Sequence, residues 1–175
     1  NNNFIDYYEI EIRAPECYLS KLQDDQIDYV AFKSGRGSTK TFTALQYFLK
    51  ESFNPENEDC FFILGRELGT SIDHGIKETF TDLIRQVGKK NELDLYSHFE
   101  FKNGSITNTQ TNCKIIFMGF RVTSGDTQGS QLGKFKGLHK VRILFIDEAE
   151  SLSEDMLNVL FPTVNRSGSI FDDAP

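Results

Sequence analysis

Long apolar runs are missing from this sequence. No stretch approaches the roughly 20 residues that a helix needs to cross a bilayer, so a helical membrane span is not expected. The first residues, Asn1-Asn2-Asn3-Phe4-Ile5-Asp6, lack the basic and apolar regions of a signal peptide. Cysteine is scarce. Cys17, Cys60 and Cys113 are odd in number and far apart, which makes neither a disulfide framework nor a zinc spacing. An intracellular, reduced setting is the expectation. Tryptophan is absent although phenylalanine occurs 16 times, an imbalance that points to no function. Basic charge is also short: 19 Lys and Arg face 26 Asp and Glu, for a net charge of −7. That excludes a whole surface built for nucleic acid but not a local patch. The densest one is Lys134-Phe135-Lys136-Gly137-Leu138-His139-Lys140-Val141-Arg142, either a solvated loop or a DNA contact. What remains is the composition of a soluble globular domain, with 175 residues, 38% of them hydrophobic and 26% charged.

Against that background one stretch stands out. An apolar run, Tyr29-Val30-Ala31-Phe32, leads into Lys33-Ser34-Gly35-Arg36-Gly37-Ser38-Thr39-Lys40-Thr41. A helix-compatible run from Phe42 to Lys50 leads out. Strand, glycine-rich turn, Lys-Thr and helix is the layout of a phosphate-binding loop. Such a loop turns backbone N–H groups inward, and the helix adds its positive end. Lys40 is then placed for the β- and γ-phosphates, and the Thr41 hydroxyl for Mg²⁺. The usual pattern is G-x-x-x-x-G-K-[ST]; its two glycine positions hold Ser34 and Thr39 here, with Gly35 and Gly37 inside the loop. Thr39 is β-branched and stiff. Taken alone, the stretch also reads as a basic Gly/Ser loop that needs no ligand.

The second motif is Val141-Arg142-Ile143-Leu144-Phe145-Ile146-Asp147-Glu148-Ala149-Glu150. Its apolar run does not alternate, which predicts a strand buried on both faces. In phosphoryl-transfer proteins two acids at such a strand's end form the Walker B arrangement. Asp147 would hold Mg²⁺, and Glu148 would orient and activate water. A core strand followed by an acidic helix start gives the same letters.

The rest of the chain fits an α/β fold. Tyr7-Tyr8-Glu9-Ile10-Glu11-Ile12 alternates and predicts an edge strand, and residues 16–26 a short helix or loop. Residues 28–33 form the first core strand and Thr41–Glu51 a helix whose Phe42, Leu45, Phe48 and Leu49 face the sheet. Cys60–Leu64 is a second strand ending at Gly65-Arg66, an arginine placed either to sense phosphate or to pair with an acid. Residues 71–90 are helical, with a stripe of Ile72, Ile76, Phe80, Leu83, Ile84 and Val87. Phe99–Thr107 is a hairpin turning at Asn103-Gly104, and Lys114–Phe120 another strand. Residues 121–137 read as a loop. A helix starting at Ser153-Glu154-Asp155 is expected to stop at Pro162.

With these pieces in place, the chain resembles the ATPase domain of a large terminase subunit, the DNA-packaging motor of tailed bacteriophages. Ser34–Thr41 is similar to that family's Gly-Gly-Arg-Gly-Ser-Gly-Lys-Ser loop. The strand ending in Gly65-Arg66 resembles its arginine-ended strand. Phe135-Lys136-Gly137-Leu138 with Ile143–Glu148 resembles its basic turn and Walker B strand, and Pro162-Thr163-Val164-Asn165-Arg166 its coupling motif. The resemblance implies an additional-strand P-loop NTPase: a mostly parallel sheet flanked by helices, with an edge hairpin. Residues 1–27 would precede the core, with Gln23 or Gln26 as an adenine contact, and 28–175 would be the ATPase domain.

The same resemblance implies a function. ATP and Mg²⁺ would be bound by Ser34, Gly35, Arg36, Gly37, Ser38, Thr39, Lys40 and Thr41, with Thr41 and Asp147 on the metal. Glu148 would be the catalytic carboxylate and Thr163, with Asn165 or Arg166, would couple hydrolysis to motion. Arg36 would stabilise the transition state, in its own subunit or a neighbour's. The partners would be double-stranded DNA, a portal protein and a small terminase subunit, within a ring in the host cytoplasm. The chain is expected to be a fragment that stops before the family's nuclease domain, with Asp172 and Asp173 a frayed terminus. A helicase-like motor, or a nucleotide-binding module without turnover, are the alternatives.

Overall fold

The computed structural model describes residues 3–24, 39–66, 75–120 and 138–168. The expected first strand at 28–33 and the loop residues Ser34 to Ser38 lie outside them, as do Gln26, residues 121–137, Asp172 and Asp173.

Among the described residues five strands make one open sheet: β1 (Phe61–Arg66), β2 (Phe99–Lys102), β3 (Ser105–Asn108), β4 (Lys114–Gly119) and β5 (Val141–Ile146), in the order β2-β3-β4-β1-β5. The helices among the described residues are α1 (Glu16–Leu22), α2 (Lys40–Glu51), α3 (Lys77–Asn91) and α4 (Glu154–Gly168). The class is therefore α/β. The expectation of a mostly parallel sheet is corrected: among the described residues β1 pairs parallel with β4 and β5, whereas β2–β3 and β3–β4 are antiparallel. The reason is connection length. Only residues 109–113 separate β3 from β4, and a parallel crossover needs about a dozen. The hairpin itself is as expected, with Lys102 opposite Ser105 across Asn103-Gly104, and Gly104 at φ 75°. Its second strand is an interior strand of the sheet, with Ile106 fully buried.

The apolar runs of β1, β4 and β5 alternate between two cores. Phe62, Leu64, Ile115, Phe117, Ile143 and Phe145 join the larger cluster with α2 and α3. Ile63, Ile116, Met118, Leu144 and Ile146 join the smaller one with Leu160 of α4. Burial on both faces explains why these runs show no polar alternation. A register shift lets Phe61 face Val141 while Phe62 faces Ile143. This bulge turns Val141 to the α4 side, where it shares a cluster with Leu144. Beyond Val141, Arg142 is exposed and residues 143–146 are half-buried rather than buried.

Three expectations for local structure fail. The segment from Tyr7 to Ile12 is no strand: Tyr7–Glu9 is a 3₁₀ turn, with the Asp6 side chain accepting from the Tyr8 N–H at 3.0 Å. Side-chain amides serve this segment in place of a ladder. Gln110 accepts from the Ile5 N–H and donates to its carbonyl at 2.9 and 2.8 Å. Asn91 does the same for Glu11, and Gln46 for Arg13. Ile5 and Ile10 reach the core by this route.

Phe42 is 38% exposed and does not face the sheet. The buried part of the first turn of α2 is Thr43 and Ala44, about 100° and 200° around the helix from it. Finally, α4 runs through Pro162 to Gly168. Proline withholds an N–H and crowds the preceding turn. Met156, Leu160 and Val164, spaced by four, keep the helix on the smaller core, which offsets that cost.

Phe48 locks α2 onto the sheet. Its ring meets Phe62 of β1 at 5.4 Å and Phe145 of β5 at 6.3 Å, both edge-on. Further along β1, Gly65 is covered by Phe120: a Cβ at residue 65 would lie 2.2 Å from that buried ring. Replacing Gly65 by alanine is expected to cost about 1–3 kcal/mol as the ring is displaced. Urea unfolding measures the loss, and Gly65→Ala combined with Phe120→Leu should recover part of it.

Candidate functional site

Parallel strands end on the same side of a sheet, and ligands in α/β folds collect there. Here β1 and β5 end together: Gly65 faces Ile146, and the Asp147 N–H donates to the Gly65 carbonyl at 2.9 Å. The next residues, Arg66 and Asp147, are thereby neighbours. Nε and Nη2 of Arg66 both reach Oδ2 of Asp147, at 2.8 and 2.6 Å. Of the two roles open to Arg66, pairing with an acid is the one observed, and the acid is the Walker B candidate.

The other oxygen of that carboxylate meets α2. Thr41 Oγ1 donates to Asp147 Oδ1 at 2.9 Å, across 106 residues of sequence. The two residues read as metal ligands are thus in direct contact. Both are partly buried, and the Asp147 side chain keeps only 12% of its exposure. Lys40, the first residue of α2, precedes Thr41 at the positive end of a 12-residue helix.

Two residues beside this contact adopt left-handed backbone conformations. Thr39 has φ 58° and ψ 6°, and Glu148 has φ 56° and ψ 43°. For a β-branched residue such as Thr39 this is a strained state. Position 39 is also where the phosphate-loop pattern carries glycine, so the departure from the pattern and the strain coincide. Glu148 is exposed, and its turn re-aims the chain after β5.

No family model matches this sequence, and no curated protein matches it.

The remaining candidates fall elsewhere. Ser34, Gly35, Arg36, Gly37 and Ser38 lie outside the described residues. Thr163, Asn165 and Arg166 are in α4, and their side chains are outside the description. Gln23 caps the end of α1, its N–H donating to the Leu19 carbonyl. Of the basic run 134–142, the described part begins at Leu138. His139 and Lys140 are exposed, and Arg142 Nε donates to Asn57 Oδ1 at 3.4 Å. These residues stand at the start of β5, about 20 Å along the strand from Asp147.

The three cysteines are free. Burial pushes the Cys113 and Cys60 thiols up, which keeps them protonated. Among the described residues no group of three or more His, Cys, Asp and Glu could hold a metal. Magnesium asks for less: one or two carboxylates, with water and phosphate oxygens completing its shell. Hard oxygen donors converging from Thr41 and Asp147 fit that requirement. No described helix is long and apolar enough to cross a membrane.

Replacing Thr39 by glycine removes the left-handed strain. The expected outcome is a gain of up to about 1 kcal/mol, reduced by glycine's greater freedom when unfolded. A urea midpoint below that of the wild type would show that the Thr39 side chain contributes more than its backbone costs.

Proposed function

We propose that the chain binds ATP with Mg²⁺ and hydrolyses it, as the ATPase part of a DNA-packaging motor of the large terminase type. One observation carries this reading. The hydroxyl of the Lys-Thr pair and the first acid of the Asp-Glu pair, far apart in sequence, meet at 2.9 Å where a helix begins and a parallel strand ends. A basic loop and an acidic helix start, read separately, give no reason for that contact. The sheet topology supports an α/β ligand site at this edge; the P-loop type, the DNA substrate, the ring, and the portal and small-subunit partners rest on the resemblance of the motifs.

In this reading the residues divide the work. Lys40 neutralises phosphate oxygens at the positive end of α2. Thr41 and Asp147 would hold Mg²⁺, which would supply positive charge to the phosphate oxygens. Glu148 accepts a proton from the attacking water. By resemblance, Ser34 to Ser38 would bind the phosphates, Arg36 would add charge to the transition state, and Thr163 would couple hydrolysis to motion. A second reading, a nucleotide-binding module without turnover, is favoured by the strained Thr39 at a glycine position.

Titration of a fluorescent ATP analogue with Mg²⁺, followed by a phosphate-release assay, tests both. Lys40→Ala is expected to lower affinity at least tenfold. Glu148→Gln is expected to keep binding and to lose about 10²–10⁴-fold in turnover. Normal hydrolysis by Glu148→Gln would remove that residue from the catalytic role. Binding by the wild type with no turnover, even with DNA present, would select the module.

A further inference from the structure

Asp147 has both carboxylate oxygens engaged by the protein. Thr41 holds Oδ1, and the Arg66 guanidinium places two N–H groups on Oδ2. An arginine usually meets a carboxylate as a fork, one N–H to each oxygen. Here Thr41 has taken the second oxygen, so both arginine bonds converge on one. The guanidinium therefore stands where a cation on Oδ2 would stand. Arg66 and Asp147 are only 22% and 12% exposed, and together they are neutral. A divalent ion brought to this carboxylate alone would sit against a fixed positive charge, out of the full screening of water.

We propose that Arg66 is a positioning residue that occupies the metal side of Asp147 and yields it only when a polyphosphate arrives to take the guanidinium. The inference rests on the ATP reading of the same site. It adds that metal and nucleotide enter together and that free Mg²⁺ is excluded. The geometry is suited to the exchange. Thr41, second residue of α2, and the guanidinium hydrogen-bond to the two oxygens of one carboxylate, so a phosphate held at that helix start comes within the reach of Arg66. Arginine keeps its charge at every accessible pH and binds phosphate oxygens as readily as carboxylates. Its transfer needs no proton movement, only a trade of one anion for another. The incoming phosphates replace Asp147 as its partner, and Asp147 turns Oδ2 to the metal.

The test uses Mn²⁺ as the metal probe, its free concentration read by electron paramagnetic resonance, on the nucleotide-free chain. Arg66→Gln is expected to bind Mn²⁺ at least tenfold more tightly than the wild type. The gain should vanish in Arg66→Gln/Asp147→Asn. Arg66→Lys, which keeps the charge, should still exclude the ion and shows that the effect is electrostatic. In EDTA, Arg66→Gln should also bind a fluorescent ADP analogue several-fold more weakly, because a phosphate partner is gone. Circular dichroism and the urea midpoint establish that each variant is folded; if Arg66→Gln is not, Arg66→Met replaces it. Folded Arg66 variants that bind Mn²⁺ no better than the wild type would overturn the proposal. A wild type that binds no nucleotide overturns the ATP reading instead, and the Mn²⁺ comparison, made without nucleotide, still decides the role of Arg66.

Discussion

The parallel register of β1 and β5 is the constraint on which the site depends. It brings Gly65 level with Ile146 and so delivers Arg66 and Asp147 to one edge of the sheet. Neither residue could stay there alone. Each is mostly withdrawn from water, and a charge so placed must be paired. The pairing is thus a requirement of the strand alignment as well as a feature of the site. The third member, Thr41, is held by a different force. Phe48, two turns further along α2, is wedged between Phe62 and Phe145, residues of the same two strands. Apolar packing fixes the helix, and the helix fixes the hydroxyl.

The segment that precedes the core is organised by another economy. It forms no ladder with the sheet, yet Ile5 and Ile10 are buried. Backbone groups brought near a core need partners. Gln110, Asn91 and Gln46 each supply one donor and one acceptor to one residue of the segment, as a neighbouring strand would. The amides come from the β3–β4 connection, α3 and α2 respectively. Residues 5–13 are thereby tied to the element that begins with Lys40.

Much of this was legible in the chain, and the failures have physical causes. The apolar runs within Cys60–Leu64 and Lys114–Phe120 mark strands because burial on two faces leaves few polar positions. Asn103-Gly104 marked its turn because few other pairs accept that backbone. The hairpin reads in sequence as an addition at the edge of a parallel sheet, but the short link after Asn108 forbids a parallel return and makes the sheet mixed. Alternation at Tyr7–Ile12 suggests an edge strand, but the Asp6 side chain caps a 3₁₀ turn there instead. Pro162 ends helices that lack other support, and the support here, Leu160 and Val164 on the smaller core, is tertiary. At the site, motif order alone put Thr41 and Asp147 together. The partner of Arg66 was not legible, since strand order decides which acid ends beside it.

The strained residues bear on what the site is for. Six non-glycine residues among those described have positive φ. Asp59, Asn112 and Lys140 sit in connections before strands, and Glu92 ends α3. Turn formation accounts for these. Thr39 and Glu148 differ in position, for they flank the Thr41–Asp147 contact from both sides of the sequence. A β-branched residue in the left-handed region persists only where its surroundings determine it. What determines Thr39 is visible in part: its carbonyl accepts from both the N–H and the hydroxyl of Thr43 at 2.9 Å. That closes the first turn of α2 and fixes where the helix begins. The start of α2 in turn sets the height of Thr41 against Asp147. Strain at residue 39 therefore buys a helix start in register with the strand end, and the same register places the Thr41 hydroxyl on the carboxylate that Arg66 neutralises.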